Sequence, residues 1–333
     1  MDERITLAHG AGGRQTAELI DKVFRAHLGS EHLTADDAAV IDMPSSGRQA
    51  ISTDGFIVSP WRFKGGDIGK LAVCGTVNDL ASMGAKPMYM TAAFIIEEGF
   101  AAADLEEIAA SMRRTADAAG ITVVAGDTKV AGKGQADGVF ITATGVGLIS
   151  PGVHTSGSLA ADGDAVIVTG DIGRHGCTIL LARTDLGIDA DVDSDCAPLW
   201  DTVEDVLSVC PDVHVIRDAT RGGVGTVLYE IASQSGKGIV LDRDSIPVDG
   251  RVQGVCDLLG LDPLYLACEG RMVIIAPHER ADAVVDVLRR HCPHASVIGH
   301  VTSSDPGRVI MTTPLGTGAL LPYPRGELLP RIC

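Results

Sequence analysis

The sequence has few aromatic residues and a shortage of basic ones. Aromatic residues make up 4% of the 333 residues, and 27 Lys and Arg stand against 44 Asp and Glu, so the formal net charge is −17. This charge repels phosphate backbones and anionic lipid headgroups, so we expect no nucleic-acid or membrane partner. No apolar run approaches the roughly 18 residues of a membrane-spanning helix. The composition is typical of a soluble globular protein.

The sequence also lacks an apolar leader and paired cysteines. Residues 1–9 carry two acids, one Arg and no apolar stretch, so we expect no signal peptide and a cytoplasmic location. The eight cysteines lie at least 12 residues apart, which leaves no Cys-x-x-Cys pair for a zinc ribbon or a thioredoxin-type site. We expect most of them to be small buried residues, with the last residue, Cys333, as the exception.

The length favours about two domains, at roughly 150 residues per domain. Residues 149–164 are polar and rich in Gly and Ser, so we place a boundary there, between a domain over 1–150 and an α/β domain over 151–312. Residues 313–333 contain four Pro and three Gly and are predicted to form a flexible tail. Extended from Pro314, this tail would reach roughly 60 Å.

Hydrophobic periodicity predicts alternating helices and strands in both halves. Helices are predicted near residues 19–28, 68–80, 105–120, 198–210, 223–235 and 279–291. Strands are predicted at 38–43, 49–53, 89–96, 121–125, 138–148, 165–169, 213–216, 238–241, 272–276 and 309–312. The predicted fold class is therefore α/β.

Several acids follow predicted strands or lie close to them. They are Asp54, Asp127, Asp171 and Asp218 at strand ends, with Asp36, Asp37 and Asp79 extending the set. Ligands collect beyond the carboxyl ends of strands in α/β sheets, so we expect these carboxylates to converge on one site. Such carboxylates repel each other unless a cation neutralises them, and hard oxygen ligands favour Mg²⁺ and, with it, nucleotide phosphates. The alternative for each single Asp is an Asx-turn.

Three Gly-rich stretches are candidates for phosphate binding, at residues 9–13, 64–70 and 217–223. The second is not a Walker A motif, because Lys64 occupies the position of its first Gly. The third places Arg221 beside two glycines at a predicted helix start, where free N–H groups favour an anion, although a tight turn explains the same residues. Glu269 is a possible general base or a turn carboxylate, and Lys129 has the same ambiguity.

Taken together, these segments resemble one family over nearly the whole chain, the HypE hydrogenase maturation factors. These are similar in plan to aminoimidazole ribonucleotide synthetase, selenophosphate synthetase and thiamine-phosphate kinase. The stretches that carry the resemblance are residues 9–13, 36–40, 53–56, 65–80, 126–130, 170–173, 220–223, 269–270 and 330–333. The run 65–80 is specific, and the terminal Pro-Arg-Ile-Cys is the most diagnostic feature.

The resemblance implies a two-domain aminoimidazole ribonucleotide synthetase-like fold, a homodimer whose N-terminal strands form a shared barrel, and a C-terminal α/β sandwich. It also implies ATP and Mg²⁺ in the cleft between the domains. The carbamoyltransferase HypF would load Cys333 with a carboxamide, which this protein would dehydrate to a thiocyanate. The cyanide would then pass to iron on a HypC–HypD complex and become a ligand of nickel-iron hydrogenase.

The resemblance further implies residue roles. The catalytic residues would be Cys333, Glu269 and Lys129. Nucleotide would contact Asp36, Asp37, Asp54, Lys70, Asn78, Asp79, Asp127, Thr128, Arg221, Gly222 and Gly223. Metal ligands would be Asp37, Asp54, Asp79, Asp127 and Asp218. The sequence departs from the family pattern at two positions, with Ala219 where Pro is common and Cys268 where Asn is common.

Two alternatives stay open. A selenophosphate-synthetase-like enzyme would need a Cys and a Lys in the N-terminal Gly-rich segment, whereas the first of each here are Cys74 and Lys22. A non-enzymatic metal chaperone would use Cys333 with the histidines of 291–300, but those residues complete no zinc pattern, and a helix end followed by a strand is the simpler interpretation.

Overall fold

The structure is a computed structural model that describes residues 4–11, 14–32, 39, 41, 43–44, 46–183, 187–312, 316–323 and 331–333. In that part of the chain, no helix is long and apolar enough to cross a membrane. The cytoplasmic location stays a prediction.

The first half of the chain contributes a four-stranded sheet in the order β1-β6-β4-β5. Its elements are α1 (Arg14–Leu19), a π-helical stretch (Ile20–Arg25), α2 (Ala26–Leu28), β1 (Arg48–Phe56), β2 (Arg62–Phe63), β3 (Gly66–Asp67), α3 (Ile68–Ser82), β4 (Ala85–Glu97), α4 (Ala102–Ala119), β5 (Thr122–Ala131) and β6 (Val139–Ile149). β6 runs antiparallel to β1 and β4, and β5 runs parallel to β4. β1, β4 and β5 therefore share one direction.

Helix α3 is the central element of the first half. Its N-cap, Asp67, accepts hydrogen bonds from the backbone N–H groups of Gly69 and Lys70 at 2.8 and 3.0 Å, and the chain turns after it at Gly84, where φ is +65°. Nearly all of its residues are buried, because it packs against β1 and β6 on one side and against the second half of the chain on the other. The predicted helix over 68–80 is confirmed.

The second half contributes a larger sheet in the order β13-β12-β9-β11-β7-β10-β8. Its elements are β7 (Ala165–Val168), α5 (Arg174–Arg183), α6 (Trp200–Val209), β8 (Val215–Asp218), α7 (Gly223–Ser235), β9 (Gly238–Asp242), α8 (Gly250–Leu259), β10 (Met272–Ala276), α9 (Ala281–His291), β11 (Ser296–Thr302), β12 (Val309–Thr312) and β13 (Gly318–Leu320). The sheet is mixed, with β12 parallel to β9 and the other pairs antiparallel. The α/β fold class is confirmed.

The larger hydrophobic core crosses from one half of the chain to the other. It joins the residues of α3 and α4 to those of α6 and α9. A second core lies between the larger sheet and α7. The predicted domain bounds stay a prediction, and the shared core means that the two halves pack through α3 and α6 as well as meeting at a cleft.

Most predicted elements are present, and a few were missed. Helices α5 and α8 were not predicted, and neither were the short strands β2, β3 and β13. Half of the predicted strand at 38–43 lies outside the described residues, and residues 39, 41 and 43, which are described, are not in a strand. The strand expected near His300 is β11, which follows the end of α9 as predicted.

Part of the predicted tail is anchored. β13 pairs with β12 as an edge strand, and the hydroxyls of Tyr229 and Tyr265 donate to the carbonyls of Leu321 and Pro322. The ring of Tyr323 packs at 5.0 Å from that of Tyr229. The length beyond Tyr323 is ten residues, which reaches roughly 33 Å when extended, and the predicted 60 Å is therefore an overestimate for this anchored state.

Candidate functional site

A cavity of about 760 Å³ lies where α3 and β1 meet β8, α7 and the segment before β10. Its walls bring together seven of the predicted site residues with parts of the tail. The lining includes Thr53, Asp54, Phe56, Gly75, Asp79, Arg217, Asp218, Thr220, Arg221, Gly222, Thr226, Glu230, Tyr265, Glu269, Tyr323, Ile332 and Cys333. We call this the interdomain cavity.

One wall of the interdomain cavity is acidic. Burial raises the pKa of Asp79, and the nearby charge of Asp54 adds to the shift, while the hydroxyl of Ser52 donates to Asp79 and opposes it. Burial and the charge of Asp79 raise the pKa of Asp218 to about 7. The three carboxylates therefore disfavour one another in their ionised forms, and a cation among them would relieve the repulsion.

The facing wall is basic and rich in glycine. Arg217 and Arg221 line it, and α7 begins there at Gly223; both Gly222 and Gly223 are in the left-handed region, with φ of +76° and +62°. A Cβ on Gly223 would lie 2.5 Å from the carbonyl oxygen of Leu264, so a larger residue does not fit. The helix start, Arg221 and Arg217, which also pairs with Glu230 at 2.6 Å, form a wall suited to phosphate.

Glu269 lines the same cavity with a carboxyl group that is nearly fully buried. Its Oε1 atom has no hydrogen-bond partner, and burial raises its pKa well above the usual range. Its backbone is held on both sides: its N–H donates to Asp195 at 3.2 Å, and its carbonyl accepts from the side chain of Asn78 at 3.2 Å. A positioned, buried carboxyl group with a raised pKa holds a proton more strongly than an exposed one, which suits a residue that takes part in proton transfer.

Two other predicted nucleotide contacts point elsewhere. Asn78 is buried, and its amide bonds the backbone of Ala197, Leu199 and Glu269, so it joins α3 to the second half of the chain. The ammonium of Lys70 donates to the carbonyl of Gly65 at 2.8 Å. Neither side chain lines the interdomain cavity.

The last three residues are docked at the cavity, and we call residues 331–333 the tip. The N–H groups of Ile57 and Ser59 donate to the carbonyls of Cys333 and Arg331 at 3.0 and 3.3 Å, which extends the path of β1 with a short antiparallel pairing. The side chain of Ile332 is buried. Cys333, which we expected to lie where nothing buries it by default, is half-buried and lines the cavity with Glu269.

Asp127, Thr128 and Lys129 do not reach the interdomain cavity. They line a second cavity of about 620 Å³ beside α1, α2 and the π-helical stretch, which we call the β5 cavity. The ammonium of Lys129 lies 2.7 Å from the Asp127 carboxylate, and this hydrogen bond lowers the pKa of Asp127. The expectation that all the strand-end acids converge within one chain is wrong here, because β5 and β1 are opposite edges of the sheet, roughly 14 Å apart.

Asp171, which we also expected among the converging acids, does not line the interdomain cavity. Its carboxylate is paired with the guanidinium groups of Arg174 and Arg271, which hold its pKa below the usual range against the opposing effect of burial. Asp36 and Asp37 lie outside the described residues. Across the described ranges, no three His, Cys, Asp or Glu side chains form a group that would hold a metal by itself. The five-carboxylate metal site is therefore not preformed in the described part of one chain.

The two departures from the family pattern are accommodated by new hydrogen bonds. The N–H of Ala219, which a Pro would lack, donates to the carbonyl of Arg271 at 3.1 Å. The thiol of Cys268 is buried and accepts from the N–H of Gly173 at 3.1 Å. Neither change alters a group that lines the acidic wall.

Sequence reasoning missed several residues of the cavity and of the tip's docking site. His175 and Ser52 carried no motif signal, because each acts through a contact with a residue distant in the chain. The tyrosines offered a signal that went unused. The sequence has four, and three of them, Tyr229, Tyr265 and Tyr323, gather at the base of the tail.

Comparison with known proteins shows the family of the chain. The models of the AIR synthase related protein N-terminal and C-terminal domains match residues 35–149 and 161–312. The chain is 45% identical to carbamoyl dehydratase HypE of Rhodobacter capsulatus, over 100% of this chain and 99% of that protein.

Two crystal structures extend the comparison. Hydrogenase maturation protein HypE in complex with ATP matches with a TM-score of 0.94 and 46% identity, over 98% of this chain and 99% of that one. A HypE–HypF complex matches with a TM-score of 0.82 and 42% identity, over 92% and 99%. The chain therefore belongs to the AIR synthase related proteins and, among them, to the HypE family of hydrogenase maturation proteins.

Proposed function

We propose that this protein is a carbamoyl dehydratase that uses ATP to convert an S-carboxamide on its own Cys333 into a thiocyanate. The observation that carries the proposal is the meeting of Cys333, the buried Glu269 and an acidic and a basic wall in one cavity. The product would supply the cyanide ligands of nickel-iron hydrogenase, in keeping with the names of the relatives.

The chemistry requires activation of a poor leaving group. The carboxamide oxygen attacks the γ-phosphorus of ATP, ADP leaves, and the oxygen becomes part of a phosphate that can depart. The nitrogen loses two protons as the C≡N bond forms and the C–O bond breaks. Glu269 accepts one of these protons, because its carboxyl group lines the cavity with a free Oε1. We assign the second to Lys129, which accepts it only after losing its own proton, because the ammonium that pairs with Asp127 has no lone pair.

ATP and Mg²⁺ suit the walls of the interdomain cavity. Arg217, Arg221 and the start of α7 would hold the phosphates, and Asp54, Asp79 and Asp218 would hold the metal ion. Mg²⁺ commonly takes only one or two carboxylates and completes its octahedron with phosphate oxygens and water. A small, mutually repelling carboxylate group that is incomplete by itself fits that mode of binding. The bound ion would neutralise charge on the phosphates.

Lys129 belongs to this reaction only if a second copy of the chain supplies it. β1 and β5 are the outer strands of their sheet in the described part of the chain, and the sheet face away from α3 exposes apolar side chains, with Ile51 70% and Ile95 42% accessible. A homodimer that closes two such sheets into a barrel would cover this face. β1 and β5 run in the same direction, so joining β1 to the partner's β5 would bring an Asp127–Lys129 segment beside Asp54.

Two partners follow from the same chemistry. We propose that HypF, which forms a crystallised complex with a related HypE, carbamoylates Cys333. The anchor at Tyr323 leaves ten residues, so the loading site must come within roughly 33 Å of that tyrosine, or the anchor must release. We further propose that a HypC–HypD complex receives the cyanide.

The test is mass spectrometry of Cys333. Protein carbamoylated by HypF should lose the mass of one water at Cys333 after ATP and Mg²⁺ are added, and should keep the carboxamide with ADP and Mg²⁺. Retention of the carboxamide in both samples would contradict the proposal.

The metal-chaperone alternative gains no support from the fold. His291 bonds Asp205 at 2.8 Å, and among the described residues the segment 291–300 contributes to no group of three metal ligands. The selenophosphate-synthetase-like alternative has no observation in its favour.

A further inference from the structure

A buried histidine connects the docked tip to the second half of the molecule. His175, in α5, is fully buried, and its ring packs edge-on against Phe63 with centroids 5.2 Å apart. Its Nε2 lies 2.7 Å from the carbonyl oxygen of Ile332, and its Nδ1 lies 2.8 Å from the hydroxyl of Ser194. Because a carbonyl only accepts, Nε2 carries the proton and donates to Ile332, while the Ser194 hydroxyl donates to Nδ1.

The partner of His175 belongs to the loop that holds Glu269. The Ser194 oxygen also accepts from the N–H of Cys196 at 3.1 Å. In the same loop, Asp195 accepts from the N–H of Glu269 at 3.2 Å. A continuous path of hydrogen bonds and loop backbone therefore runs from the backbone of Glu269 to the backbone of the tip.

The other contacts of the tip fix it mainly to the first half. Its backbone pairs with Ile57 and Ser59, and the side chain of Arg331 bonds the carbonyl of Ile57 at 3.0 Å and pairs with Asp137. Arg183, also in α5, donates to the carbonyl of Arg331. These contacts hold the tip along the path of β1. Arg183 and His175 both tie it to α5, and His175 is in turn bonded to the loop that holds Glu269.

We propose that His175 is a positioning residue that aligns the tip, and with it the group carried by Cys333, with the carboxyl group of Glu269. Its role in the reaction rests on the proposed function, whereas its role in docking does not. Without the imidazole, the buried carbonyl of Ile332 loses its donor, so the docked state becomes less populated.

Alkylation of Cys333 by iodoacetamide in the full-length protein measures docking directly. Cleavage by a glutamyl endopeptidase yields a C-terminal peptide for mass spectrometry, since trypsin would release only the last two residues. We expect His175→Ala to be alkylated at Cys333 about 10-fold faster than the wild type. His175→Gln, whose amide can donate from nearly the position of Nε2, should stay near the wild-type rate.

Two further variants serve as a control and as an independent test. His214→Ala is the matched control, because His214 lies in the same half and pairs with Asp164 far from the tip along the chain, so the rate should not change. Ser194→Ala removes the Nδ1 partner without opening a large space and should accelerate alkylation by about 3-fold, which tests the proposal even if His175→Ala does not fold. Equal rates in His175→Ala and wild type would overturn the proposal, as would equal acceleration in His214→Ala. A folded Ser194→Ala protein with the wild-type rate would also overturn it.

Dehydration of the carbamoylated protein gives the second readout. His175→Ala should slow dehydration with the pH profile of the wild type, because the histidine places the substrate and exchanges no proton with it. Faster alkylation with an unchanged dehydration rate would overturn the positioning role. Faster alkylation with no dehydration in any protein, wild type included, would instead contradict the proposed function and leave the docking result intact.

Discussion

The two cavities of this chain hold complementary parts of one predicted active site. The interdomain cavity has Glu269, Cys333 and three carboxylates, whereas the β5 cavity has Asp127, Thr128 and Lys129. In the first, burial and nearby charges raise the pKa values of Asp79, Asp218 and Glu269, and in the second a hydrogen bond from Lys129 lowers the pKa of Asp127. The difference teaches that the described part of one chain does not bring Glu269 and Lys129 together, so the proposed proton-accepting pair requires Lys129 from a second copy.

The largest effect is expected from Cys333→Ala. Without the thiol there is no group to carry the carboxamide, so thiocyanate formation should be abolished. ATP binding and the melting temperature should change little, because the terminal residue adds little to the core. Calorimetry measures ATP binding by the variant, and a thermal melt measures its melting temperature. A large drop in melting temperature would show that the docked tip is a structural segment.

A comparison of Glu269→Gln with Asp79→Asn separates the base from the metal site. Glu269→Gln should slow dehydration by about 10²- to 10⁴-fold, the usual contribution of a positioned acid or base, and should still bind ATP. Asp79→Asn should weaken ATP binding in Mg²⁺ first. The readouts are single-turnover mass spectrometry and ATP titration. Equal loss of ATP affinity in both variants would place Glu269 in the metal site.

The divalent cation should be required for tight ATP binding. Asp54, Asp79 and Asp218 would otherwise repel the triphosphate. Titration of ATP into the protein with Mg²⁺ and with excess EDTA tests this requirement. Equal affinity in the two titrations would argue against the acidic wall as the metal site.

The pH dependence of stability should differ between the acidic wall and an ordinary carboxylate. The folded pKa of Asp218, about 7, exceeds its unfolded value, so between pH 4 and 7 the native state binds more protons and this residue makes stability fall as pH rises. In the protein without nucleotide, Asp218→Asn should remove this loss, which the rise of the Asp218 pKa from 3.8 to about 7 sets at up to about 4 kcal/mol at pH 8. Urea unfolding of the wild type and of Asp218→Asn at pH 5 and pH 8 measures how the free energy of unfolding of each protein changes with pH. If the free energy of unfolding of the variant changes with pH as much as that of the wild type, Asp218 does not cause the change.

The sequence predicted the parts of the fold that local pattern determines. Helix α3 was predictable from its periodicity, and the convergence of Asp54, Asp79 and Asp218 was predictable from their positions. Helices α5 and α8 were missed because glycines at 176, 250 and 254 interrupt their apolar pattern. The separation of Lys129 from Glu269 was not predictable, since it depends on the order of strands in a sheet.

The docking of the tip was equally hidden from the sequence. Pro and Gly in 313–333 argue against a long regular element, and among the described residues of this range there is the three-residue strand β13. The pairing of the tip with Ile57 and His175 joins residues more than 150 positions apart. Composition describes what a segment does by itself and carries no information on such partners.

Mixed dimers test the central claim that one active site takes Glu269 from one chain and Lys129 from its partner. Dimers that pair a Glu269→Gln chain with a Lys129→Ala chain would be isolated with two affinity tags and compared with each homodimeric variant in the dehydration assay. If the residues meet across the dimer, one of the two sites contains both native groups, and activity should return to about half of the wild type per dimer. If each site uses Glu269 and Lys129 of the same chain, both sites stay defective, and a mixed dimer no more active than the homodimeric variants would contradict the account.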